Sequence, residues 1–186
     1  YEISACLVGS EMCIRDRIVT GSGNQGITAS VPVIRYAKHI GASDERLYRA
    51  LLVSDLVTIH QKTGIGRLSA YCGAVSAGCG AGAGIAYLLG GDYRAIAHTI
   101  VNAVAILSGT ICDGAKPSCA AKIASAVEAG ILGYYMYVND QQFRGGDGIV
   151  AKGVENTIRN VGLLASQGMK QTDRVILNIM TGDQCL

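Results

Sequence analysis

A chain of 186 residues, 49% hydrophobic and only 16% charged, is long enough for one domain with a real core but falls well short of the roughly 25% charge of an average soluble chain. Its net charge of +2 gives no electrostatic case for nucleic-acid binding. Seven cysteines, an odd number with no secretory signal ahead of them, argue against a disulfide framework and for a reduced, cytoplasmic setting.

With 25 glycines, no tryptophan and one phenylalanine, the core has to be built from Ala, Val, Ile and Leu on closely approaching backbones. Residues 1–17, YEISACLVGSEMCIRDR, show no periodicity and no cap or turn logic. The stretch CLVGSEMCIRDR resembles translated sequencing-adapter read-through, so 1–17 is expected to be a non-native or disordered segment, with Cys6 and Cys13 outside the fold. Residues 18–186 are then expected to be the C-terminal part of a larger catalytic domain.

From Ile18 a glycine-rich loop, GSGNQG, carries Asn24, Gln25 and Gly26 into a helix with apolar positions Ile27, Val31, Ile34 and Ala37, ending at Gly41. Backbone N–H groups and two side-chain amides suit a small carboxylate, although the loop lacks the lysine of a phosphate loop. Ser43 and Asp44 cap a second helix, whose expected apolar face is Leu47, Leu51, Val53, Leu56 and Ile59, running to His60 and Lys62.

No charged residue occurs from Leu68 to Gly91, 24 positions, or from Ala95 to Cys112, 18 positions. Their length would allow membrane spans, and the glycines have GxxxG spacing. But the first run is Gly, Ala and Ser, and the second holds His98, Asn102 and Ser108, so buried helices of a protein outside the membrane fit better. Cys72 and Cys79 on the first run are two turns apart, about 10 Å, and only one of them can readily join a compact site. Asp92 opens a helix through Ile96, Ile100, Val104 and Leu107. Further helices are predicted from Ser118 to about Val138, from Gly148 to Ser166, and over VILNIM behind Thr172 and Asp173. The fold class is all-α, a compact bundle of six to seven glycine-rich helices.

Between two of these helices lies ICDGAKPSCAAKI, residues 111–123. Pro117 disfavours helix at Lys116 and suits the start of a new one. The expected arrangement is a helix ending near Cys112, a tight turn, and a helix starting by Cys119, with both sulfurs facing one pocket. The incoming helix N-terminus would favour thiolate there. Core packing also buries small thiols, but it does not ask for Gly, Lys and Pro between them. Cys72, Cys112 and Cys119 on three helices are one ligand short of a closed tetrahedral zinc site, and they suit a four-iron cluster with one iron left open. A structural zinc or purely helical interaction module remains the rival from another class.

The segments GSGNQGI, GRLSAYCGA and ICDGAKPSCAAKIA resemble the C-terminal half of the L-cysteine desulfidases, a group similar to the catalytic alpha chain of iron–sulfur L-serine dehydratases. The likeness runs from Ile18 to about Met180. It implies a lyase that eliminates the β-substituent of a small L-amino acid, L-cysteine or else L-serine. It also implies a four-iron, four-sulfur cluster on Cys72, Cys112 and Cys119, leaving Cys79 as a packing residue and Cys185 beyond the matching region. Asn24, Gln25, Gly26 and Lys62 are the expected substrate-binding residues, with Arg67 and Lys116 as further charge partners. The family's GCTEP-like segment, whose cysteine is thought to be the catalytic base, has no match here, so the missing N-terminal half is an expected partner. The apolar excess further predicts a homo-oligomer.

Overall fold

A computed structural model of the chain describes residue 19 and residues 22–66, 69–114 and 116–182. Cys6, Cys13, Arg67 and Cys185, and the expectations placed on them, lie outside the described residues, as does the whole of 1–17. The described residues form seven α-helices: α1 (Gly23–His39), α2 (Asp44–Ile65), α3 (Gly73–Leu88), α4 (Tyr93–Ile106), α5 (Ser118–Val138), α6 (Val154–Leu163) and α7 (Lys170–Thr181). A π-helical turn, Leu164–Gly168, joins the last two. Pairing outside helices is limited, among the described residues, to two isolated bridges. The all-α class is as expected.

The organising element is α3, which touches α1, α2, α4 and α5. Every residue of it except Gly73 and Tyr87 is buried. An uncharged Gly/Ala helix is therefore the hub of the bundle, and among the described residues no helix is long and apolar enough to cross a membrane. Small residues let its neighbours come close: a Cβ on Gly82 would stand 2.6 Å from the Gly130 Cα of α5, and one on Gly78 2.5 Å from the Ala126 carbonyl carbon. Replacing glycine at such crossings forces the backbones apart.

The same closeness shifts part of the expected faces of α1 and α2: Ala37 is buried as expected and Leu47, Leu51 and Val53 are half-buried against the core, but Val31, Leu56 and Ile59 turn outward. Leu56 is 62% and Ile59 43% exposed, whereas Ala50, Ser54 and Thr58 are fully buried. A leucine does not fit where α2 lies on a glycine-lined helix, so the contact is made by small residues at i, i+4 and i+8. Their hydroxyls are satisfied by backbone carbonyls: Ser54 Oγ donates to Ala29 O at 2.7 Å and Thr58 Oγ1 to Ser54 O at 2.8 Å. On α1 the buried positions are likewise Thr28, Ala29, Val33 and Ala37, with Val31 exposed.

Caps account for the helix starts. Ser43 accepts from Arg46 N–H and Asp92 from Ala95 N–H, both as expected. Two starts differ. The helix predicted from Gly148 begins only at Val154, after Gly153 with φ of +90°. The last helix begins at Lys170, so Thr172 and Asp173 lie inside its first turn and do not cap it.

Candidate functional site

Cys72 is the N-cap residue of α3, in extended backbone at φ −67° and ψ 116°. The preceding Tyr71 pairs with Ile111 in an isolated antiparallel bridge. Cys72 N–H donates to Thr110 O at 3.1 Å and Cys112 N–H to Ala70 O at 2.6 Å. Residues 70, 72, 110 and 112 therefore lie on one face of this short ribbon, with Cys72 and Cys112 diagonal to one another. Ser69 secures the ribbon from below: its Oγ donates to Ala165 O in the π-helical turn at 2.9 Å and accepts the Tyr71 N–H at 3.1 Å.

The expectation of three cysteines on three helices needs correcting here. α4 stops at Ile106 and Cys112 sits in the extended stretch beyond it, while Cys72 precedes its helix; only Cys119 lies within one, in the first turn of α5. Pro117 stands immediately before that turn, as its fixed φ predicts. The Cys119 thiol donates to Gly114 O at 3.3 Å, and Lys116 N–H donates to its sulfur at 3.4 Å.

All three thiols line one cleft of about 180 Å³, together with Lys62, Asn24, Gln25 and Lys122. Lys62 comes from the last turn of α2 and is 7% exposed. Burial lowers its pKa, opposed by the Cys112 and Cys72 sulfurs nearby. Asn24 and Gln25 belong to the first turn of α1 and not to a loop, because Ser22 caps that helix by accepting Gln25 N–H at 3.2 Å. The Gln25 side chain lies against Gly73, where a Cβ would fall 2.6 Å from its Cδ, so the N-terminal ends of α1 and α3 meet at the cleft. Asn24 Oδ1 is buried and accepts no hydrogen bond among the described residues. Gly26 is buried beneath and does not line the cleft, and Lys116 is exposed outside it.

Burial raises the pKa of Cys72, and the Ala74 N–H at the start of α3 offsets this only in part. Cys79, 1% exposed in the core, is pushed up to about 12 by burial. It faces away from the cleft as a packing residue. Reading the sequence missed Lys122, whose Nζ donates to Asp113 Oδ1 at 2.5 Å and Ile111 O at 3.1 Å. Its position three residues after Cys119, one turn on and on the same face, was the available signal. Tyr71 was missed as well; it is 1% exposed.

Residues 5–178 match the family model described as serine dehydratase alpha chain. The chain belongs to the serine dehydratase alpha chain family. Among curated relatives, a UPF0597 protein of Desulfitobacterium hafniense is 69% identical over 168 residues, covering 90% of this chain and 39% of the relative. UPF0597 proteins of Treponema denticola and Lachnoclostridium phytofermentans are 52% and 55% identical, over 88% of this chain and 38% and 39% of theirs. The chain thus spans about two fifths of the length of these relatives. No solved structure matches it.

In this member of the family, soft thiol donors on a shared cleft are the groups that iron–sulfur chemistry uses. Among the described residues, no three Cys, His, Asp or Glu side chains converge closely enough to hold a single metal ion. A cluster asks for a different spacing, since each of its thiolates binds a different iron. The donor set at the cleft fits such a group: three cysteines, with no competing carboxylate among the lining residues.

Proposed function

We propose that this chain forms the cluster- and substrate-holding part of an iron–sulfur-dependent lyase, which performs β-elimination on a small L-amino acid and converts L-cysteine to pyruvate, ammonia and sulfide. The observation that carries the reading is the meeting of Cys72, Cys112 and Cys119 with Lys62, Asn24 and Gln25 on one cleft. Cys72, Cys112 and Cys119 would hold a four-iron, four-sulfur cluster. When bound, it would supply a Lewis-acidic iron for the leaving sulfur or oxygen.

The chain's own residues orient the substrate. Lys62 offers a buried ammonium and the capped first turn of α1 adds its positive dipole end, so a carboxylate is the group they suit. Asn24 Oδ1, an orphaned acceptor, suits the substrate's ammonium. Elimination removes the α-proton and breaks the Cβ–S bond; the aminoacrylate so released takes up water to give pyruvate and ammonia. The proton acceptor is proposed to lie in the part of the relatives that this chain does not span. That part, or a second copy of the chain, is the proposed cover for Tyr48, Leu52 and Leu56 on α2, which are 63%, 60% and 62% exposed. The four described cysteines are free thiols, in keeping with a reducing, cytoplasmic setting.

L-Serine is the second reading, favoured by the family's description as a serine dehydratase. The test is anaerobic reconstitution followed by iron and sulfide analysis, with pyruvate formation measured on each amino acid. Bound iron and sulfide with pyruvate from L-cysteine is the expected result. Turnover of L-serine alone would transfer the assignment, and the absence of bound iron would overturn it.

A further inference from the structure

Two lysines reach the thiol cleft, and their surroundings differ. Lys62 is buried, and no carboxylate lies within ion-pair distance of it among the described residues. Lys122 has two acceptors, Asp113 Oδ1 at 2.5 Å and Ile111 O at 3.1 Å. Its side chain is 22% exposed and that of Asp113 37%, against 63% and 76% for the solvated Arg49–Glu45 pair, so this ion pair is less screened than an ordinary surface one.

The two acceptors flank Cys112 in sequence, and Ile111 is the residue that bridges to Tyr71, next to Cys72. On its own helix Lys122 stands one turn beyond Cys119. Between Cys112 and Cys119 the backbone turns through Gly114 at φ +93°; the hydrogen bonds inside this turn tie Gly114 and Lys116 to Cys119, whereas Lys122 ties the residues on either side of Cys112 to α5.

We propose that Lys122 is a positioning residue of the cleft: paired with Asp113, it clamps the Cys112 segment onto α5 so that Cys112 and Cys119 keep their spacing, and it sets a positive charge beside the sulfurs. The clamp depends only on the geometry described above. The charge effect rests on the cluster reading, and the two are tested separately.

The experiment compares Lys122→Met, which keeps the apolar stem, with Lys122→Arg and Asp113→Asn in the protein with its full polypeptide. Amide hydrogen exchange of residues 110–119, measured without iron, reads the clamp. Lys122→Met and Asp113→Asn should exchange at least tenfold faster there, with α3 unchanged, and Lys122→Arg should stay within twofold of the parent. Exchange in Lys122→Met within twofold of the parent overturns the clamp.

Iron content and reduction potential after anaerobic reconstitution read the charge. Lys122→Met should hold less than half the parent's iron, and what remains should reduce at a more negative potential, because a nearby cation is gone. Asp113→Asn should show no such negative shift. An unchanged potential in Lys122→Met overturns the charge effect. A parent protein that takes up no iron overturns the iron–sulfur reading and the charge effect with it, while the exchange result still decides the clamp.

Discussion

Cys72 and Cys112 stand diagonally across the Tyr71–Ile111 bridge, each strand giving a backbone N–H to the other: Cys72 to Thr110 O and Cys112 to Ala70 O. Cys119 approaches the same cleft from the first turn of α5. Single replacement of Cys72, Cys112 or Cys119 by serine should therefore abolish iron uptake, a hydroxyl being a harder and poorer ligand than a thiolate. Cys79→Ser should leave iron content nearly intact, since that thiol is buried in the core and held protonated, its pKa raised to about 12. Iron and sulfide analysis of the four variants is the measurement. Loss of the cluster in Cys79→Ser with retention in Cys72→Ser would show that the ligand set is wrong.

Gly82→Ala probes the crossing of α3 on α5. The new methyl would meet the Gly130 backbone at 2.6 Å, and neither helix can yield without moving α3 off α5. A loss of about 2 kcal/mol is expected, in the range for overpacking. Gly109→Ala, which would meet nothing within 4 Å, should stay within about 0.5 kcal/mol. Urea unfolding of both variants checks the contrast, and equal midpoints would contradict the packing.

What could be read in the sequence was local chemistry. Ser43 and Asp92 announce their helices because a cap acts within three residues, and Pro117 announces α5 because its ring fixes φ. Leu47, Leu51 and Val53 could be placed on the inner side of α2 from their spacing, but its tightest contact could not, because the partner is a glycine-rich helix that admits Ser54 and Thr58 and turns Leu56 outward. Nor could the Tyr71–Ile111 bridge, a single pairing between distant segments with no alternation to mark it. Cys112 and Cys119 could be grouped from the turn between them. The choice of Cys72 over Cys79 to join them came from the family likeness, and the ribbon is what brings Cys72 to the same cleft.

The exposed side of α2 yields a test that separates the observed face from the expected one. Leu52→Ser and Leu56→Ser, at 60% and 62% exposure, should change the stability of this chain by no more than about 0.5 kcal/mol. Ala50→Leu, at a fully buried position facing Gly84, should cost about 1–3 kcal/mol. Thermal or urea melts of the three variants suffice, and a large loss from Leu56→Ser would restore Leu56 to the core.

Burial raises the pKa of Asp55, and one of its carboxylate oxygens is buried with no hydrogen-bond partner among the described residues. A carboxyl raised in the folded state is easier to accommodate protonated, so its cost is absent below its unfolded pKa and grows as pH rises through the folded one. Asp55→Asn should therefore stabilise the protein at pH 7, and the advantage should vanish toward pH 3. Paired unfolding curves across that range check the sign. An advantage that grows on acidification would mean that the carboxylate has a cationic partner.

Lys62 gives the last test, because stability and binding should move in opposite directions. Lys62 is 7% exposed, and burial lowers its pKa, so the uncharged form is favoured relative to water. Folded-state depression of a lysine means that the charged group costs stability at neutral pH, a cost that disappears above its unfolded pKa. Lys62→Met keeps the stem and removes the charge; it should raise stability at pH 7 by up to about 1 kcal/mol, as substitutions that relieve a functional site commonly do. If the ammonium anchors the substrate carboxylate, the same change should raise KM at least tenfold, about 1.4 kcal/mol of lost binding, and Lys62→Arg should recover part of it. Unfolding curves measured without iron and steady-state kinetics on L-cysteine and L-serine read the two effects. A variant that is less stable by more than about 1 kcal/mol would instead make Lys62 a structural counter-ion of the Cys72 and Cys112 sulfurs, and an unchanged KM would remove it from the substrate site.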